Sequence, residues 1–463
     1  MADRRRRVLW LTLALVAALV VVGIGGFVAV GGRSGMAAIG AGRGLWVASI
    51  PGSPAFGDPR QVLAPDGQAA GASESGVSQA VTPLLADKRL GNVALSVIDL
   101  ESGKALFGRR DTEAVTPAST TKIVTAAAAL AALGPYHRFT TAVVAGPGAG
   151  EVVLVGGGDP TLAVGPNATY AGAARLDTLA KQVTAKGKVT KLIYDTSLFT
   201  GPALAPGWDS DTVSGGSGSP VSALAVDGGR KKPAADPESE TPGIRSADPA
   251  KDAAVKFGKL LGLGPGQVVA GTATAGAQPI ASLPSPPVQW LVDQMLGFSD
   301  NVIAEALLRQ VAIAKKQPAT FTGGAAARHQ VLQELGVDVA GDQLQDGSGL
   351  SRLDKLTPQF LTGVLKAAVS PDHAGLRGIV SGLPVAGYSG TLATRFGSDA
   401  AAAGIGEVRA KTGTLSGVDA LAGVVMTKDG TQLAFALVAN GTAGSARPVM
   451  DKLAAKLAAC GCA

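Results

Sequence analysis

The run Asn92 to Leu100 (Asn-Val-Ala-Leu-Ser-Val-Ile-Asp-Leu) has the β-branched, apolar character of a strand. Glu101-Ser-Gly-Lys104 follows as a hairpin turn, and Ala105 to Phe107 starts the partner strand. Ile123 to Leu133 is apolar nearly all round, which predicts a buried helix. Strands are predicted over Arg138–Val144, Glu151–Val155, Lys191–Asp195 and Gln267–Thr274, and helices over Val81–Leu85, Ala171–Lys186 and Asp248–Gly262. Amphipathic helices are predicted over Pro284–Gly297 and Asn301–Ile313, with a break at Ser299-Asp300-Asn301. Two more are predicted over Gly324–Leu335 and Thr357–Ala368. Three strands close the pattern, Val408–Leu415, Val418–Thr427 and Gln432–Asn440, before a last helix at Arg447–Leu457. The predicted fold class is α+β: an antiparallel sheet with packed helices, two strands from before Ser119 and three from the C-terminal end.

The N-terminus reads differently. Met1 to Arg7 is a basic cap, and Val8 to Val30 is an uncharged apolar run. It exceeds the roughly 7–15 apolar residues of a cleaved signal and approaches the roughly 20 that span a bilayer. An uncleaved signal anchor is favoured over a cleaved signal peptide, and either places the working part outside the cytoplasm. Residues 31–76, rich in Gly, Ala, Pro and Ser, read as a flexible linker. Gly156-Gly-Gly-Asp-Pro-Thr-Leu162 lacks the Gly-Lys-Ser/Thr of a phosphate loop, and Pro160 breaks the helix one would need, so it reads as a structural turn.

Composition narrows the chemistry. The chain has 463 residues, 46% apolar and 16% charged, enough for two domains and a large core. Arg4 to Arg7 supply four charges of the net +6, and the remainder has no basic stripe, so no nucleic-acid partner is expected. His137, His329 and His373 are scattered, which argues against a zinc peptidase and a Ser-His-Asp enzyme, and no metal or cofactor is expected. Cys460 and Cys462, one residue apart, read as a frayed tail with free or intermolecular thiols.

The candidate chemistry centres on Pro117-Ala-Ser-Thr-Thr-Lys122. Ser119 and Lys122 stand one helical turn apart on one face, and the lysine side chain leans back over the serine. In so apolar a setting the ammonium is desolvated, and the amine becomes able to accept the hydroxyl proton. Alone, Ser-x-x-Lys is also compatible with an ordinary helix start. Ser299-x-Asn301 alone reads as a helix N-cap, and Lys411-Thr412-Gly413 as a strand ending in a turn.

Together and in this order, the three motifs resemble those of the serine penicillin-recognising enzymes. Gly158-Asp-Pro-Thr-Leu162, Asp346-Gly-Ser-Gly-Leu-Ser-Arg352, Leu383-Pro384 with Gly390-Thr-Leu392, and Arg409-Ala-Lys-Thr-Gly-Thr-Leu415 resemble the low-molecular-mass class C penicillin-binding proteins. These are the D-alanyl-D-alanine carboxypeptidases and endopeptidases of the PBP4/DacB type. The resemblance implies a β-lactamase/transpeptidase-like five-stranded antiparallel sheet. Ser299 follows Ser119 by 180 positions, which implies one smaller inserted domain, about residues 145–275, with the catalytic domain in 77–144 and 276–463. It also implies roles. Ser119 is the nucleophile, Lys122 takes its proton, and Ser299 relays it to the leaving amine. Asn301 holds the substrate peptide and neighbours Lys122. Lys411 gives fixed positive charge, Thr412 and Thr414 bind the substrate's terminal carboxylate, and Gly413 leaves room for its backbone. The N–H groups of Ser119 and Thr414 form the oxyanion hole. The expected partners are peptidoglycan stem peptides, β-lactam antibiotics and the membrane. A β-lactamase and a catalytically silent wall-binding protein are the competing readings.

Overall fold

The computed structural model describes residues 71–234 and 243–462. In chain order its helices and strands are α1 (Glu74–Val81), β1 (Asn92–Asp99), β2 (Ala105–Arg109), α2 (Thr121–Leu133), β3 (Thr140–Ala145), β4 (Glu151–Val155), α3 (Leu176–Thr184), β5 (Lys191–Asp195), α4 (Pro249–Leu260), β6 (Val268–Ala270) and β7 (Pro279–Pro284). Then come α5 (Val288–Gly297), α6 (Asn301–Ala314), α7 (Phe321–Glu334), α8 (Pro358–Val369), α9 (Gly378–Gly382), β8 (Val408–Leu415), β9 (Val418–Met426), β10 (Gln432–Asn440) and α10 (Arg447–Ala458).

The first sheet has the order β2-β1-β10-β9-β8 and is antiparallel throughout. Two strands come from before Ser119 and three from the C-terminal end. Strand alternation sorts its residues by size. Leu433, Phe435 and Leu437 of β10 pack with α1 and α10 on one face. Ala434 and Ala436 face the other way, into a core built with α2, α5, α6, α7 and α8. α2 is central to that core: every residue from Thr121 to Leu130 is buried. Its alanine run lets neighbouring helices approach closely on all sides, and it carries Lys122 into the interior.

A second sheet, β6-β5-β4-β3-β7, has its own apolar core with α3 and α4. β4, β5 and β6 run parallel, joined through α3 and α4, while β3 is antiparallel to β4 and β7. Its strands run from Thr140 to Pro284. Strand β7 occupies Pro279–Pro284, and α5 begins only at Val288, because Pro284, Pro286 and Pro287 delay the helix. α3 starts five residues later than its pattern, after a turn in which Gly172 takes φ +85°.

Both chain ends of the described region are ordered against each other. Ser73, placed in the linker by composition, caps α1 through Gly76 N–H. Cys462 is fully buried beside it, and its carbonyl accepts from Ser73 N–H. The expectation of a frayed tail with free thiols is thus corrected: Cys460 and Cys462 are joined to each other, held by packing against α1. The apolar run 8–30 lies outside the described residues, among which no helix is long and apolar enough to cross a membrane.

Candidate active site

Ser119 sits on a single 3-10 turn, Ala118–Thr120, that runs into α2. The turn is fixed from several sides. Thr120 Oγ1 donates to the Pro117 carbonyl, and Asn440 at the end of β10 brackets Thr116, accepting from its N–H and donating to its carbonyl. Ala118 adopts φ +48°, a left-handed conformation an alanine takes only when its surroundings impose it. Two glycines make room for it. A Cβ on Gly349, itself at φ +83°, would lie 2.0 Å from the Ala118 carbonyl oxygen. A Cβ on Gly413 would lie 2.9 Å from the Pro117 carbonyl oxygen and 3.1 Å from Ser119 N. Gly413 therefore makes room for the serine turn itself.

Lys122, in the first turn of α2, points back toward its helix start and is wholly buried. Its Nζ donates to Ser119 Oγ at 2.9 Å, Asn301 Oδ1 at 2.5 Å and the Ser348 carbonyl at 2.7 Å. Burial drives the amine down to about 8, although Asp346, Glu305, Asp300 and Asp354 pull it back up. A hydroxyl touching an amine so readily deprotonated is the arrangement of an activated nucleophile.

Ser299 and Asn301 reach the site across the start of α6. Asp300 between them caps the helix, accepting from Val302 and Ile303 N–H. Its other oxygen accepts from Tyr170 Oη at 2.6 Å and faces Arg230 at 3.7 Å. Burial alone would raise this carboxyl, but Arg230, Arg245 and the tyrosine bond hold it below the usual range. Asp300 thus supplies the N-cap read from this motif, with Ser299 and Asn301 on either side of it. Ser299 takes φ +57°, a strained non-glycine conformation next to this anchored cap.

Strand β8 forms the opposite wall. Ser119, Ser299, Asn301, Thr412 and Thr414 line one cleft of ≈ 400 Å³, with Asp209, Thr212, Ser217, Leu350, Arg352 and Ser416. Lys411 stands behind it, fully buried, and Nζ donates to the Thr412 carbonyl and lies 3.4 Å from its hydroxyl. Burial, then Lys122 and Arg395, push its amine well below the ordinary range. Thr414 Oγ1 is 3.3 Å from Asp419 Oδ1 and accepts from Arg447 at 3.2 Å.

All eight residues picked from the three motifs converge here. Asp346 and Arg352 come from the Asp346–Arg352 motif read in the sequence, whereas Trp208, Asp209 and Ser217 carried no signal of their own. Asn301 Nδ2 donates to the Ser217 carbonyl, Trp208 Nε1 to Asp346, and Arg352 pairs with Asp209 at 2.8 Å at the cleft mouth. Residues 208–217 lie in a loop-rich stretch with no periodicity. Glu305 had a readable signal: it stands one turn after Asn301 on the same helix face.

The chain is 41% identical, over 85% of its length and 86% of the relative's, to a carboxypeptidase of Mycobacterium tuberculosis. It is 39% identical to carboxypeptidase DacB of Mycolicibacterium smegmatis, over 88% of this chain and 89% of the relative. Penicillin-binding protein 4 of Haemophilus influenzae shares its fold, with a TM-score of 0.67 and 23% identity over 83% of this chain and 98% of that one; a second structure of that protein, at TM-score 0.62, contains a β-lactam. The model of the D-Ala-D-Ala carboxypeptidase 3 (S13) family matches residues 77–244 and 233–459, so with the Ser119–Lys122 pair, the strained Ser299 turn and the β8 wall around one cleft, the chain belongs to that family.

Proposed function

We infer that the chain is a serine D-alanyl-D-alanine carboxypeptidase that works through an acyl-enzyme on peptidoglycan stem peptides and is acylated by β-lactams. The observation that carries this is the Lys122 amine, fully buried and within 2.9 Å of Ser119 Oγ. Ser119 Oγ attacks the carbonyl of the penultimate D-alanine while its proton passes to Lys122 Nζ. The developing oxyanion is received by the N–H groups of Ser119 and Thr414; one such donor contributes about 2.7–4 kcal/mol. Ser299 carries the proton on to the leaving nitrogen, since a hydroxyl accepts and donates at once. The C–N bond breaks, D-alanine leaves, and water cleaves the Ser119 ester by the reverse proton route. Asn301 holds the substrate peptide, and Lys411, Thr412 and Thr414 hold its terminal carboxylate.

We further propose that an inserted domain carries the second sheet and that the 8–30 run exports the enzyme, as an anchor or a cleaved signal, with endopeptidase activity on cross-links as an additional outcome. Protease added to wall-stripped intact cells should digest the chain; protection would refute export. For the chemistry, a labelled penicillin and mass mapping should place a persistent adduct on Ser119, and Ser119→Ala should abolish both adduct and D-alanine release from muropeptides. An adduct retained in Ser119→Ala would overturn the mechanism, and fast hydrolysis of the penicillin would make the protein a β-lactamase.

A further inference from the structure

Behind Lys122 lies a buried acidic cluster that the three motifs do not include. Glu305, Asp346 and Asp354 are all buried. The Asp346 carboxylate organises its own loop, accepting from Ser348, Gly349 and Ser351 N–H and from Trp208 Nε1. Glu305, from α6, accepts from Gly347 N–H with both oxygens, at 3.2 and 3.0 Å, and from Ser348 N–H at 2.8 Å. Gly347 cannot be larger, since a Cβ there would come 2.7 Å from the Ala304 carbonyl, so the loop lies flat on α6. The peptide that follows carries the Ser348 carbonyl, which accepts from Lys122 Nζ at 2.7 Å, and Thr125 Oγ1 secures the Gly347 carbonyl of the clamped peptide at 2.6 Å.

We propose that Glu305 is a positioning residue for the Lys122 base: its carboxylate fixes the Gly347 and Ser348 N–H groups against α6, and with them the chain leading into the Ser348 carbonyl that meets Nζ, and it sets the field in which that amine gains and loses its proton. This rests on the function proposed above and adds a residue to it. The groups facing Lys122 are Ser119 ahead of α2, Asp300, Asn301 and Glu305 at and on α6, Asp346, Ser348 and Asp354 on the loop, and Lys411 on β8. Of the carboxylates among them, Asp346 holds the Gly349 N–H of the peptide that carries the Ser348 carbonyl, and Glu305 is the one that ties this loop to α6, through Gly347 and Ser348 N–H. Burial, then Asp346, pushes its carboxyl up to about 8, against the pull of its N–H donors, so it titrates where Lys122 does.

Two variants separate field from reach. Glu305→Gln removes the charge and presents an amide donor to the Gly347 N–H. In the full chain with ¹³C-labelled lysine, the Lys122 Cε titration midpoint should fall by about one pH unit, and the acid limb of penicillin acylation should move with it. Glu305→Asp keeps the charge but is one methylene too short to clamp both peptides. Its midpoint should stay within about half a unit of wild type, while its acylation plateau drops about 10-fold. An unmoved or raised midpoint in Glu305→Gln, or a wild-type plateau in Glu305→Asp, overturns the proposal. The lysine titration needs no turnover, so it decides the matter even if the wild type forms no adduct, an outcome that would count against the proposed function instead. Should Glu305→Gln not fold, the plateau of Glu305→Asp remains decisive.

Discussion

Acylation should be governed by the fraction of Lys122 that is neutral, and the structure gives that fraction a magnitude. Burial brings the amine from 10.5 to about 8, a preference for the neutral form of about 3 kcal/mol. The neutral fraction is then about one half at pH 8, about 9% at pH 7 and about 1% at pH 6. The sign is fixed: lowering the pH protonates the base, so the second-order acylation constant should fall about tenfold per unit below pH 7 and level off above about pH 9. Because Glu305 titrates over the same range, the observed midpoint belongs to the Lys122–Glu305 pair. Stopped-flow acylation by a fluorescent penicillin from pH 6 to 9.5 reads this, with a thermal melt at each pH to show that the fold persists. Lys122→Arg keeps a cation but removes the base, and should reduce the plateau by about 10²–10⁴-fold. A flat profile, or a midpoint near 10, would show that Lys122 stays charged and that some other group takes the serine proton.

Three further substitutions test how the site is held. Gly413→Ala places a methyl against Pro117 O and Ser119 N; it should displace the serine turn, cutting acylation about 10- to 100-fold at a stability cost of about 1–3 kcal/mol. Wild-type acylation in that variant would mean that the turn yields freely. Gly349→Ala meets both a left-handed φ and a carbonyl oxygen that cannot move aside, so denaturant melts should show a larger loss than for Gly413→Ala; an equal or smaller loss would contradict the bracketing of Ala118. Tyr170→Phe leaves Asp300 without its hydroxyl donor and should cost about 1–3 kcal/mol while slowing acylation. In a double-mutant cycle with Asp300→Asn the two effects should be markedly non-additive, and additivity would disconnect Tyr170 from the Ser299 turn.

What could be read from the sequence was what depends on local pattern. The five strands of the first sheet, the apolar wrap of α2 and the order of the three motifs all follow from residues close together in the chain. The same is true of the reach of Lys122 back to Ser119, which is helix geometry alone. What could not be read depends on distant backbone. No rule applied to Ser299 predicts φ +57°, because the cap that accompanies it is anchored by Tyr170, 130 positions away. Ser217 enters the site through its carbonyl, which no side-chain motif reports. Gly413 illustrates the middle ground. Its smallness was legible, but the neighbour that demands it is the Pro117–Ser119 turn, visible only once β8 is laid against it.

The same distinction bears on Lys411. As a sequence feature it is a cation near the anionic end of a substrate; in the fold it is a buried amine beside another buried amine. Burial, and then the charge of Lys122, disfavour the ammonium of Lys411, while the half-buried Arg352 at the mouth is paired with Asp209. If the substrate carboxylate binds at Thr412 and Thr414, as proposed above, it should reverse the local balance, since an opposite charge nearby favours the ammonium of Lys411. By reciprocity, a charged Lys411 then disfavours the charge on Lys122 and leaves the base neutral as substrate seats. An anionic C-terminus on the substrate contributes to activating the serine as well as to binding, and an amidated peptide would lose both.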